Sequence, residues 1–248
     1  MAQFKRLIYR VRDLEKKYGS HSALKINKLE IHPGTIYSIV GTVGSGKTTL
    51  LNLLAGTEKQ TSGTLLYEDK PFDKNWLGKI ILMEDIFYTS GINLRSSSKT
   101  VGDFIASKFG KKKKVIYNLY FSDGNFRSLL TRKLRNISEA EMNFLGMVFA
   151  SEADPRVLLI DDYGAFLSQD MEREFRRKIV NMNRTLGTTI ILSVPSEMYV
   201  KHFSSVMIFL NHGHISKIRP GASSGKTRKK SVIKNKRYRK SKQRKKNN

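Results

Sequence analysis

The 248-residue sequence predicts an α/β fold with a mostly parallel, buried sheet. Three observations predict it. Short apolar or β-branched runs alternate with longer helical patterns along the chain. Two of those runs, Val157–Ile160 and Thr189–Ser193, are nearly continuous, as strands covered on both faces are. A third run, Ile36–Val40, ends at a glycine-rich loop from which a helical pattern starts.

The elements follow in order. Ile8–Leu14 and Leu24–Ile31 read as strands, the second through Leu24, Ile26, Leu29 and Ile31. The helix opening at Lys47 carries Leu50, Leu51, Leu53 and Leu54. Thr64–Tyr67 and Lys79–Met83 read as two further strands. Residues 85–150 hold few strand-like runs and several helical patterns, notably Val101–Phe109 and Glu139–Ala150, and are expected to form a helical insertion. Lys111–Lys114 is expected to be an exposed connecting loop. Met171–Leu186, charged on one face, reads as a helix between the two buried strands. Val206–Leu210 and His214–Ile218 are expected to pair as a hairpin about Asn211-His212-Gly213. Residues 1–220 then make one domain. From Gly221 to the end the composition turns to Lys, Arg, Ser, Asn and Gly, which cannot bury enough apolar area to offset ordering entropy, so a disordered tail is expected.

Charge and composition narrow the function. Lysine and arginine number 46 against 21 acids, a formal net charge of +25. Residues 221–248 hold 13 of the basic residues and no acid, which leaves 33 against 21 in the remainder. A body and a tail of this sign attract phosphate-rich polymers and anionic membranes. There is no cysteine, which excludes disulfides, thiolate metal sites and cysteine nucleophiles. Met1–Arg6 has no apolar core of a signal peptide, and no run reaches the roughly 18 apolar residues of a membrane span. A cytoplasmic protein is expected, at most peripheral to the inner face of the membrane.

Gly41-Thr42-Val43-Gly44-Ser45-Gly46-Lys47-Thr48 fits the phosphate-loop pattern G-x-x-x-x-G-K-[ST]. The glycines let the backbone turn its N–H groups inward around phosphates. Lys47 would reach the β- and γ-phosphates and Thr48 would ligate Mg²⁺, while the helix adds its positive end. The preceding strand and following helix make the match specific, and Thr49 continues the cradle. Ser224-Gly225-Lys226-Thr227 looks similar, but Gly221 stands one residue too close and no helix follows. A Mg²⁺–nucleotide site also needs a carboxylate at the end of a neighbouring strand. Val157–Ile160 followed by Asp161 and Asp162 supplies one, with Asp161 expected on the metal.

These residues resemble the ABC ATPase superfamily over about positions 5–218, as a single nucleotide-binding domain. The resemblance rests on Tyr18, Leu24-Lys25-Ile26 and Pro33-Gly34 ahead of the phosphate loop. Leu82–Asp85 then falls at the Q-loop, Ile137–Glu141 at the signature, Ala165–Ser168 at the D-loop and Leu192–Pro195 at the switch-histidine loop. It implies a P-loop NTPase sheet core with an antiparallel β-subdomain and an inserted helical subdomain. It also implies ATP and Mg²⁺ as ligands, adenine stacking on Tyr18, Glu84 near the metal and Asp162 in the general-base position. A head-to-tail dimer, with a second copy or a related ATP-binding domain, and a separate transmembrane permease are the implied partners.

The departures are as informative. Glu84 replaces the Q-loop glutamine. Of the usual Leu-Ser-Gly-Gly-Gln signature only Ser138 survives, with Glu139 and Ala140 in place of glycines. Asp162 is shorter than the family's glutamate, Val194 replaces the switch histidine, and Ser168 the D-loop aspartate. Groups that hold ATP are kept and groups that sense and cleave it are altered, so slow hydrolysis is expected.

Three functions remain open at this point. The chain serves a transporter as its ATP-binding subunit, or acts on RNA, ribosomes or DNA as a soluble relative, or is a nucleotide-switched scaffold with almost no turnover. The basic run 226–248 fits contact with RNA, DNA or anionic lipid, or simple solvation of a terminus.

Overall fold

The computed structural model describes residues 6–90, 98–122, 124–165 and 167–221. Two sheets share the chain. Strands β1 (Tyr9–Tyr18), β2 (His21–Ile31) and β4 (Ser62–Tyr67) form an antiparallel sheet ordered β2-β1-β4. The larger sheet runs β5-β6-β7-β3-β8-β9, from β3 (Ile36–Val40), β5 (Ile86–Tyr88), β6 (Val157–Ile160), β7 (Thr189–Val194), β8 (Val206–Asn211) and β9 (His214–Pro220). All its neighbours are parallel except the β8–β9 hairpin. The helices are α1 (Lys47–Ala55), α2 (Val101–Phe109), α3 (Lys113–Tyr120), α4 (Gly124–Arg127), α5 (Glu139–Glu152) and α6 (Gln169–Leu186).

The continuous apolar runs have a direct structural cause. Along β7, Ile190, Leu192 and Val194 face a core built with α5 and α6, while Ile191 faces a second core with α1 and the antiparallel sheet. The same alternation places Leu158 and Ile160 of β6 on the first side, and Val157 and Leu159 on the second. Both faces of the central strands are covered, so every position must be apolar or satisfied. Their carboxyl ends line up at one edge, with Val40 opposite Val194 and Ile160 opposite Leu192.

Three expectations are corrected. Lys79–Met83 is not a strand: Ile80 makes a single bridge to Lys74, and the side chains of Ile81 and Leu82 stand in solvent. The edge strand is instead Ile86–Tyr88, where Phe87 and Tyr88 are buried and pair in parallel with β6. The helical insertion therefore starts after this strand and runs from Val101 to Glu152. Lys111–Lys114 is exposed but helical, in a short 3₁₀ turn (Gly110–Lys112) leading into α3, because Ile116 is drawn fully into the core one turn later. The expected tail disorder and its polyanion contacts fall on residues 222–248, outside the described residues.

Candidate functional site

Three segments meet at the start of α1. Gly46 caps the helix with φ 99°, a left-handed conformation that favours glycine, and no side chain caps the end. A Cβ on Gly46 would lie 2.9 Å from the carbonyl oxygen of Ala23, so the antiparallel sheet presses directly on the loop. A Cβ on Gly41 would strike Ser45 Oγ and the Leu210 carbonyl. Gly213, in the β8–β9 turn, donates from its N–H to the Ser45 carbonyl (3.0 Å) and accepts from the Lys25 N–H (2.8 Å). The loop is clamped from both sides, while the first turn of α1 leaves its N–H groups free.

Lys47 is buried across this loop and donates from Nζ to the carbonyls of Gly41 (2.8 Å) and Thr42 (2.9 Å). Ser45 Oγ is buried without a hydrogen-bond partner among the described residues. Thr42, Val43 and Gly44 are exposed at the loop's outer curve, Thr48 is exposed and Thr49 half-buried. A cleft of about 350 Å³ opens here, between the loop residues 43–49, Tyr18, His21, Ala23 and Asp162. That volume is within the range of small-ligand sites.

The two carboxylates at the end of β6 are tied together by one hydroxyl. Ser193 Oγ, fully buried, donates to Asp161 Oδ1 (2.6 Å) and accepts from the Asp162 N–H (2.9 Å). Tyr88 closes on Asp161 Oδ2 from the neighbouring strand at 3.5 Å. The Tyr88 phenol is raised well above its usual range, first by burial and then by the Asp161 charge. Asp162 turns out of the strand at φ 47°, which brings its side chain to the cleft. Its carboxyl is raised above the ordinary aspartate value by desolvation and by Asp161, against the opposing pull of Lys47.

Tyr18 lies at the rim, 47% exposed, at the end of β1. Its hydroxyl donates to Glu58 Oε2 at 2.5 Å, and the Lys16 ammonium sits 4.9 Å from its ring centroid. Glu58 is also held by Asn52 (2.8 Å) and Lys16 (3.1 Å), so the ring is fixed against the C-terminal end of α1. Burial and then the Glu58 contact raise the Tyr18 phenol.

The structure thus brings Tyr18, residues 43–49 and Asp162 to one cleft, with Gly41 and Thr42 forming the loop's near end and Asp161 one residue away. Glu84 is not brought there: it is exposed in the turn before β5. Val194 is fully buried in the α5–α6 core, and its carbonyl accepts from the Gly41 N–H at 3.2 Å. At the start of α5, Ser138 and Glu141 form a capping box, with Glu141 Oε2 accepting from the Ser138 N–H at 2.7 Å. Arg132 closes on the other carboxylate oxygen at 2.5 Å. Backbone capping and the Arg132 charge hold Glu141 below the usual carboxylate range. Ser168 caps α6, its Oγ accepting from the Met171 N–H. The side chains of Glu139 and Ala140, and Phe166 in the D-loop, fall outside the described residues.

Sequence reasoning missed Ser193, Gly213 and the cleft residues His21 and Ala23. Ser193 left a signal, as the one polar residue within Ile190–Val194. Gly213 was legible only as a turn residue.

The ABC transporter family profile matches residues 24–164. The chain belongs to this family. ABC cassettes bind ATP, and the residues fit a nucleotide: a loop with no room for a Cβ at Gly41 and Gly46, an orphaned buried hydroxyl at Ser45, an uncapped helix end and a buried lysine. Among the described residues no three carboxylates or histidines are grouped to hold a metal alone. Among relatives, the spermidine/putrescine import ATP-binding protein PotA of Bacillus anthracis is 26% identical over 218 residues, 85% of this chain and 65% of that protein. The chain therefore spans a little under two thirds of that relative's length. The tungstate uptake ATP-binding protein TupC of Peptoclostridium acidaminophilum is 25% identical over 208 residues, covering 83% of this chain and 95% of that one. The fold matches CbiO1 of the Clostridium perfringens CbiONQ complex (TM-score 0.66, 23% identity, 93% and 94% of the two chains). It also matches a dimeric bacterial ABC transporter cassette (TM-score 0.70, 20% identity, 86% and 98%). No helix among the described residues is long and apolar enough to cross a membrane.

Proposed function

We propose that the chain is the ATP-binding subunit of an importer-type ABC system, coupled to a separate transmembrane permease and turning ATP over slowly. One observation carries the reading: the uncapped start of α1, the glycine cradle and the Asp161–Ser193–Asp162 cluster converge on one cleft. The import and uptake roles in the names of PotA and TupC support the transport side. In this reading the N–H groups of Gly44, Gly46 and Lys47, together with the Lys47 ammonium, hold the phosphates, and Tyr18 takes the adenine against its ring face. Thr49 lines the cradle, and Thr48 and Asp161 hold Mg²⁺, which supplies charge neutralisation at the phosphates. Glu84 would join them only by closure of the turn before β5. Asp162 serves as general base, with a reach one methylene short.

The head-to-tail dimer, with itself or a related ATP-binding domain, remains the expected assembly. The capped α5 start makes a related domain the better partner, since the Glu141 carboxylate already occupies the Ser138 N–H and O–H donors there. The test is purification of the tagged chain from its native cells in mild detergent. A polytopic membrane protein and a second ATP-binding chain are the expected companions. RNA or ribosomal proteins in their place would sink the reading.

A further inference from the structure

The segment between β4 and β5 ends in a rigid turn that no part of the site uses. Asn75 Oδ1 accepts from the N–H groups of Leu77 (3.0 Å) and Lys79 (2.9 Å). Backbone bonds from Gly78 to Asn75, Asn75 to Lys79 and Ile81 to Asp73, each 2.9 Å, close it further. Its base is anchored by Phe72, stacked on Tyr67 with ring centroids 6.2 Å apart, and by Ile80 beside Gly56. Its tip is apolar and bare: Trp76 is 90% exposed and Leu77 68%, with Leu82 (57%) and Ile81 (50%) just behind.

An exposed tryptophan on a pre-ordered tip is unusual, since large exposed apolar patches mark an interaction surface. The flanks identify the chemistry. Lys74 and Lys79 flank the tip in sequence, with Lys70 further back; all three are exposed and stand in no ion pair found among the described residues, and Asp73 is the one acid between positions 70 and 80. A tryptophan and a leucine at the apex, with lysines behind, match the layering of a membrane interface: rings at headgroup depth, ammonium groups at lipid phosphates. The charge of the whole chain, +25, has the sign an anionic leaflet attracts.

We infer that the 74–80 turn is an interfacial membrane anchor, in which Trp76 and Leu77 enter the headgroup region of an anionic leaflet and Lys74 and Lys79 pair with lipid phosphates. The contact is the chain's own and does not depend on a permease. Single weak anchors give reversible binding, and stable attachment takes a second signal. A polybasic segment such as 226–248 is of the kind that supplies one.

Trp76 is the only tryptophan in the chain, so its emission reports on the turn alone. The full chain is mixed with vesicles of phosphatidylcholine with phosphatidylglycerol, and with vesicles of phosphatidylcholine only. With the anionic vesicles Trp76 emission should shift to the blue and be quenched by lipids brominated on the acyl chain. Leu77→Asp should weaken partitioning about tenfold, since it replaces a leucine that enters the lipid with a charge. Lys74→Glu should weaken it about fivefold or more at low salt. Both positions are exposed, and unchanged ATP affinity checks that the variants fold. Co-sedimentation with vesicles while Trp76 stays water-exposed would overturn the inference and leave the tail as the contact. So would no binding at all. A blue shift that grows with protein concentration without lipid would overturn it in favour of a second copy covering the turn. None of these results bears on nucleotide binding or on the permease.

Discussion

The molecule carries two helix N-termini at the phosphate loop and the signature position, and they are finished in opposite ways. The start of α1 has no side-chain cap and is wrapped by glycines, leaving its N–H groups for a ligand. The start of α5 is closed by its own residues, with Ser138 and Glu141 in a reciprocal capping box and Arg132 neutralising the carboxylate. An N-terminal N–H group is either satisfied internally or available, and the two choices have different uses. The open end makes a binding site at some cost to local stability. The closed end makes a stable helix at some cost to recognition. In the proposed reading the first serves the nucleotide, while the second secures the helical insertion.

The sharpest way to break the open end is Lys47→Ala. It removes charge-assisted bonds to phosphate, so ATP affinity by calorimetry should fall roughly ten- to a hundredfold. Equal affinity in variant and wild type would remove the site assignment. Turnover comes next. Wild-type hydrolysis should lie well below the usual median of ~10 s⁻¹, because Asp162 is short and the buried Val194 side chain has no polar group to offer. Asp162→Glu should raise it by about tenfold, within the ~10²-fold that a 1 Å misplacement can cost. Tens of turnovers per second in the wild type, abolished by Lys47→Ala, would mean that another residue does this chemistry.

A smaller effect tests the closed end. Glu141→Ala deletes half the capping box and should cost about 1 kcal/mol, lowering Tm by roughly 2–4 °C. Its partial exposure and the surface character of the Arg132 pair keep the figure modest. No change in Tm would mean that Ser138 alone secures α5.

The smallest effect concerns pH. The folded carboxyl of Asp162 is raised above its ordinary value of 3.8 by burial and by Asp161, so the folded state holds its proton longer than the unfolded state. Stability should therefore fall as pH rises from that ordinary value through the raised one, and stay lower above it. Asp162→Asn has no charge to lose. Its urea midpoint should exceed that of the wild type slightly at neutral pH, with the gain vanishing in acid. A gain that persists in acid would assign the effect to something other than the charge.

Much of the site was legible because its chemistry is local. The phosphate loop, its flanking strand and helix, and the paired aspartates after β6 are contiguous patterns whose residue types follow from backbone curvature and charge. The β5 assignment went astray for an equally physical reason. Lys79–Met83 and Ile86–Tyr88 are both short apolar runs, and only the parallel partner β6 selects the second as a strand. Lys111–Lys114 looked like a loop because four charges carry no apolar period. Ile116, buried one turn on, decides that the stretch is helical.

By itself, the sequence determined the α/β class, the phosphate loop and the strand that presents Asp161 and Asp162. Each depends on neighbours along the chain. Only the tertiary structure decided that Ser193 ties the two carboxylates, that Gly213 and Ala23 close on the loop, and that Arg132 helps seal the start of α5. It also decided that Trp76 stands in solvent. These are contacts between segments 9 to 190 positions apart, or the lack of them. A residue's neighbours in space, unlike its neighbours in the chain, are set by packing.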